Sequence, residues 1–137
     1  MNKPLLHTDL ALFLLRLAVG GLMLLHGIDK IQNGVGSIGG MLGSAGLPEK
    51  LAWGVYLGEV LAPLLMLLGF LTRPAALILA ITMGVSIWLG YGADALSLGE
   101  HGGLAVELNL LYLAGGLTIF FAGGGSIGVG RGESKWS

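Results

Sequence analysis

Five ionisable side chains lie in or beside the apolar stretches of this chain: Arg16, His26, Lys30, Glu59 and Glu107. A charge in hydrocarbon costs on the order of 2.5 kcal/mol or more on insertion scales, so such groups pair, move protons or meet a ligand. An arginine can position or polarise a carbonyl oxygen, and two glutamates with a histidine can relay protons from mid-membrane to a surface. The chain has no cysteine, which excludes disulfides, thiolate catalysis, iron–sulfur ligation and thiolate zinc sites. His26 and His101 have no matched ligand spacing, so no haem, flavin or metal site is expected within the chain. Gly123-Gly124-Gly125 has no following Lys-Ser/Thr and no preceding strand, and so ends a helix rather than cradling a phosphate.

The elements that hold these residues must be membrane helices. Of the 137 residues 54% are hydrophobic and 11% charged, and the mean hydropathy is +0.84. A bilayer core of roughly 30 Å takes about 20 apolar residues per helix, which leaves room for four spans and little else. The expected fold is an all-α integral membrane bundle with spans at residues 10–28, 51–71, 74–91 and 104–122, forming one domain over 1–127. Residues 128–137 read as a flexible tail by composition. Lys3 ahead of an apolar run imitates a signal peptide, but the run is long, contains Arg16 and lacks a small-x-small cleavage site, so it is expected to stay as the first span.

The first connector, 32–50, is glycine-rich but holds Val35, Ile38, Met41, Leu42 and Leu47, and a short interfacial or re-entrant helix packed at the membrane surface is expected there. The second is minimal, with Pro74 in the first turn of the next helix, so spans two and three form a tight hairpin. One side of the membrane collects Lys3, Arg73, Arg131 and Lys135, the other only Lys30 and Lys50, which places both termini in the cytoplasm. A net charge of −1 gives no basic nucleic-acid surface.

Small residues mark where helices can approach: Gly20 and Gly27 in the first span, Gly54, Gly58 and Ala62 in the second, Ala76, Ala80 and Gly84 in the third, Gly115 and Gly116 in the fourth. Trp53, Trp88 and Tyr91 sit where interfacial anchors belong. Asn109 and Tyr112 suit hydrogen bonds between helices.

Depth limits which charges can meet. At about 1.5 Å per residue, Arg16 lies about 18 Å below the outer end of the first span and Glu59 about 12 Å below the same surface. An extended arginine covers the difference, so Arg16 and Glu59 are the expected pair. Glu107 lies about 5–6 Å in and His26 about 3 Å in, which makes a ladder toward the outer face. The pair reads either as a buried clamp that fixes helix register or as a ligand-facing site.

Arg16, His26-Gly27 and Lys30, then Gly46-Leu47-Pro48, Gly58-Glu59, Leu68-Gly69-Phe70-Leu71-Thr72-Arg73-Pro74-Ala75-Ala76 and Glu107 together resemble the DoxX family over nearly the whole chain. The resemblance implies a four-helix protein of the bacterial inner membrane, similar to the small membrane subunit of thiosulfate:quinone oxidoreductase. Family members commonly follow the fourth helix with Gly-x-Gly and Ser-Leu/Ile-Asp; this chain has Ser126-Ile127-Gly128, so that aspartate has no counterpart here. A cysteine-free chain also has no evident group to take up sulfur.

The leading expectation is therefore a membrane subunit of a quinone-linked oxidoreductase. Arg16, His26, Lys30 and Glu59 would contact the quinone, and Arg16, Glu59, Glu107 and His26 would polarise it and carry protons. The alternatives are a non-catalytic anchor or assembly subunit and, further off, a small transporter, which four spans without broken inverted halves disfavour. Expected partners are membrane lipid and a partner subunit or further copies of the chain, with no nucleic acid.

Overall fold

A computed structural model describes residues 3–131 and 133–137. Met1, Asn2 and Gly132, which the domain reading includes, lie outside the described residues, as does the side chain of Lys3 in the charge count. The protein is an all-α four-helix membrane bundle: three helices are long and apolar enough to cross a membrane, and a shorter apolar helix completes the set. The long helices are α1 (Lys3–Asn33), α3 (Glu49–Leu68) and α4 (Thr72–Gly90); the shorter one is α5 (Glu107–Ala122).

The helix expected in the first connector is present as α2 (Gly36–Ser44). Its apolar side packs on the start of α3 through Val35, Leu42 and Ala52, with Leu89 of α4 against them. α2 thus covers the end of the α3–α4 pair that lies away from the termini.

α3 is not one uniform helix. It begins as a 3-10 segment, Glu49–Trp53, behind the extended Pro48, passes through one α turn, Gly54–Tyr56, and widens into a π turn at Leu57–Leu61. Regular α geometry returns at Ala62–Leu68. Pro63 explains the widening, since a proline has no N–H for the carbonyl four residues back and its ring collides with that carbonyl. The carbonyl four residues back belongs to Glu59.

The core is built from Met23, Met66, Leu79 and Ile119, all essentially buried, with Ala62, Ala75 and Ala76 between them. Small residues set the close approaches. A methyl on Gly58 would run into Thr82 Oγ1 of α4, one on Gly27 into the Glu59 carbonyl, and one on Gly115 would come within 2.6 Å of Val19. Gly116 lies against the Ala76 carbonyl and Gly20 against Pro63 and Leu67. Gly54 and Gly84, read as approach points, face open space instead. Large apolar side chains such as Leu14, Leu25, Ile81 and Phe121 stay exposed, as a lipid-facing surface requires.

The segment after α5 lies against the α3–α4 turn. Val129 N–H donates to the Leu68 carbonyl at 2.8 Å, Gly130 N–H to that of Gly69 at 3.0 Å, and Arg73 N–H to that of Trp136 at 3.0 Å. Gly69 and Leu71 take left-handed backbone at φ 72° and 48°, which reverses the chain sharply enough for this docking.

Candidate functional site

Arg16 is 1% exposed, and among the described residues it forms no ion pair. Its Nε donates to the Met66 carbonyl at 2.7 Å, Nη1 to those of Gly124 at 2.9 Å and Ile127, and Nη2 to that of Leu67 at 3.3 Å. The Phe13 ring centroid lies 5.7 Å from its Cζ. The guanidinium therefore ties α1 to carbonyls at the C-terminus of α3, the negative end of its dipole, and to the segment after α5. Gly69 and Gly128 make room, because a side chain at either would collide with Arg16.

The expected Arg16–Glu59 pair is thus not formed. Met66 is seven residues beyond Glu59, about 10 Å further along α3. Helical side chains lean toward the N-terminus of their own helix. The two helices are antiparallel, so Arg16 leans toward the end that carries the chain termini while Glu59 leans the other way.

Glu59 instead meets Lys30, whose Nζ lies 3.9 Å from Oε2. Lys30 also contacts Asp29 at 3.5 Å. The Glu59 side chain is 13% exposed, and its Oε2 is buried without a hydrogen-bond partner among the described residues. His26, Asp29 and Tyr112 all lie within electrostatic range of this carboxylate. The exposed His26 ring stands edge-on to the buried Tyr112 ring, with centroids 6.0 Å apart. Of the sequence-expected residues, the structure gathers Glu59, Lys30 and His26 and leaves out two. Arg16 is at the other end, and Glu107 is exposed at the start of α5, folded over Gly103.

Glu59 also lines a cavity of about 450 Å³ between α2, the first half of α3 and α4. Most of its wall is apolar, including Met41, Leu42, Leu51, Val55, Val85 and Trp88; the polar groups besides Glu59 are Thr82 and Ser86. A cavity of this size suits a small organic ligand. Asn109 donates to Ser86 Oγ at 3.1 Å, the expected link between helices, and so anchors one wall of the cavity to α5. Thr82, Ser86 and Tyr112 were not legible as site residues, since an uncharged polar residue in an apolar span reads equally as a hydrogen bond between or within helices. Pro63, four residues after Glu59, was the one local signal that the helix is special there.

Asp9 was also not singled out. Its carboxylate accepts from Ser126 N–H at 3.0 Å and from the Ser126 hydroxyl at 2.5 Å. Arg73 Nη1 donates to the carbonyls of Phe120 and Phe121, both at 2.9 Å. The terminal end of the bundle is thus held by structural hydrogen bonds, and the opposite end carries the cavity and the Glu59 cluster.

The DoxX family matches residues 11–92, the stretch from α1 through α4 that supplies Glu59, Lys30, His26 and the cavity wall. A Haemophilus influenzae protein described as "Uncharacterized protein" is 33% identical over 103 residues, covering 72% of this chain and 75% of that protein. No solved structure matches. With the family's sequence pattern falling on the helices that build the site, the chain is a member of the DoxX family.

Proposed function

We propose that the protein is the membrane subunit of a quinone-linked oxidoreductase of the bacterial inner membrane, with the Glu59 cavity as its ligand site. The observation that carries this reading is a carboxylate residue, Glu59, in the wall of a largely apolar cavity of ligand size. The π turn fits a functional site, since π turns inside helices frequently mark one.

A quinone supplies two-electron chemistry coupled to protons. The apolar wall takes a ring and the start of a tail, while the Glu59 carboxylate holds or accepts a proton. Lys30 and His26 neighbour Glu59 without lining the cavity, so a proton leaving the cavity meets Glu59 first and the exposed imidazole next. Arg16 and Glu107 have no part in this chemistry. Electrons come from a partner subunit, since the chain has no cysteine to take part in thiol chemistry. Both termini lie in the cytoplasm in this reading, and the Glu59 cluster opens to the outside.

Solvent extraction of the chain purified from a quinone-containing bacterial membrane tests it. Quinone should be recovered close to one per chain and be lost in Gly54→Phe, which fills the cavity at a position with no neighbour to displace. Recovery at the detergent background, with a stoichiometric partner protein, would replace this reading with that of a non-catalytic anchor.

A further inference from the structure

One side of the Glu59 cavity is α2. Met41 of α2 and Ile81, Val85 and Trp88 of α4 line the cavity and are exposed, so its mouth lies between these two helices and looks onto hydrocarbon. Deeper in, Leu42 of α2 is buried against the start of α3. The width of the mouth therefore depends on how firmly α2 is held.

Among the described residues, the hydrogen bonds of residues 35–47 all stay inside that segment. Gly39 N–H donates to the Val35 carbonyl at 2.9 Å, Leu47 N–H to that of Leu42 at 2.9 Å, and the Ser44 hydroxyl to that of Gly40 at 3.0 Å. The chain on either side is tied down. Tyr56 of α3 donates its hydroxyl to the Lys30 carbonyl at 3.1 Å, where Gly34 N–H also donates at 2.8 Å. Past the segment, Leu51 N–H donates to the Pro48 carbonyl at 3.1 Å. What holds α2 to the bundle is apolar packing, chiefly of Val35 and Leu42 with Ala52 and Leu89. A helix of nine residues does not persist without such support, and a segment with few apolar contacts opens locally.

The joints are at hand. Gly34 and Gly46 take left-handed backbone at φ 77° and 78°, which only glycine adopts freely. Nothing lies within 4 Å of where a side chain would stand at either, so both can turn without striking a neighbour. A few such positions, flanking a packed element, are how a hinged segment moves.

We propose that α2 is a lid on the Glu59 cavity, swinging on Gly34 and Gly46 to admit a ligand from the bilayer and closing over it through Val35 and Leu42. The lid rests on the cavity being a ligand site, and the two can fail separately.

The chain has no native cysteine, so Ala52→Cys, at a position 2% exposed beneath α2, reports opening by its rate of reaction with a bulky maleimide in detergent. Ile119→Cys, in the bundle core at 0% exposure, reports unfolding of the whole protein. Ala52→Cys should react about tenfold or more faster than Ile119→Cys, because local opening needs less than global unfolding. Adding Gly46→Ala should speed it about tenfold again, since left-handed backbone disfavours alanine by about that factor and opening relieves it. Gly34→Ala should act alike, and it decides if Gly46→Ala does not fold. Gly40→Ala also meets open space but sits inside the helix, and it should bring no acceleration. Excess decyl-substituted benzoquinone should slow the reaction, because the bound state is the closed one. Equal rates at Ala52→Cys and Ile119→Cys, unmoved by the hinge variants, would overturn the lid and leave a cavity with a fixed wall. Acceleration by the hinge variants with indifference to the benzoquinone would uphold the lid and overturn the quinone reading of what it covers.

Discussion

At the scale of single residues, the two buried charges do different work. Both were legible as unusual, because an arginine and a glutamate inside apolar spans need partners. Their pairing was misread, because depth was compared between Cα positions while the Cα–Cβ direction decides which way a side chain reaches. Arg16 finds carbonyls of Met66, Leu67, Gly124 and Ile127, none of which a sequence marks as an arginine site. Arg16→Leu should therefore lower stability in detergent by about 3 kcal/mol or more, since several charge-assisted hydrogen bonds go together. Adding Glu59→Leu should not restore it, and the two losses should add, as they do for sites without shared partners. Arg16→Lys should recover little, because one ammonium cannot fork toward carbonyls on separate segments. Thermal unfolding of the single and double variants checks all three expectations; recovery in the double variant would mean that the charges do meet.

At the scale of elements, the spans were legible and their ends were not. Apolar length reveals four helices, but α1 runs to Asn33, because Asp29, Lys30 and Asn33 continue the helix outside the apolar stretch. α5 starts at Glu107 rather than 104, because Leu104 is drawn into a bridge with Leu98 and Ala105 N–H bonds the Ser97 carbonyl. The π turn of α3 has no periodic signature and follows from the tertiary consequence of Pro63. Gly58 was read as an approach point, and it meets Thr82. Gly58→Leu should then cost about 1–3 kcal/mol by overpacking. Leu64→Ala, at a side chain 42% exposed on the lipid-facing surface, should stay within about 0.5 kcal/mol. Equal tolerance of the two would deny that α3 and α4 touch at Gly58.

At the scale of the whole molecule, the bundle has a braced end and an open end. Asp9, Arg16 and Arg73 brace the end that carries the termini through backbone and hydroxyl partners, and the cavity occupies the other. In the proposed orientation, which rests on the lysine and arginine imbalance, the braced end faces the cytoplasm. The chain has no native cysteine to remove, so single cysteines at the exposed Ser37 and Val129 report on this directly. An impermeant thiol reagent should label Ser37→Cys alone in intact cells, and labelling of Val129→Cys instead would invert the orientation. The central claim, that the Glu59 cavity takes a quinone-type ligand from the bilayer, is tested most directly by photolabelling with an azidoquinone in native membranes. The account predicts label on the segments 51–59 and 81–90, displaced by excess unlabelled quinone. Label spread along the lipid-facing side of α1, around Leu14 and Leu25, and indifferent to competition would contradict it.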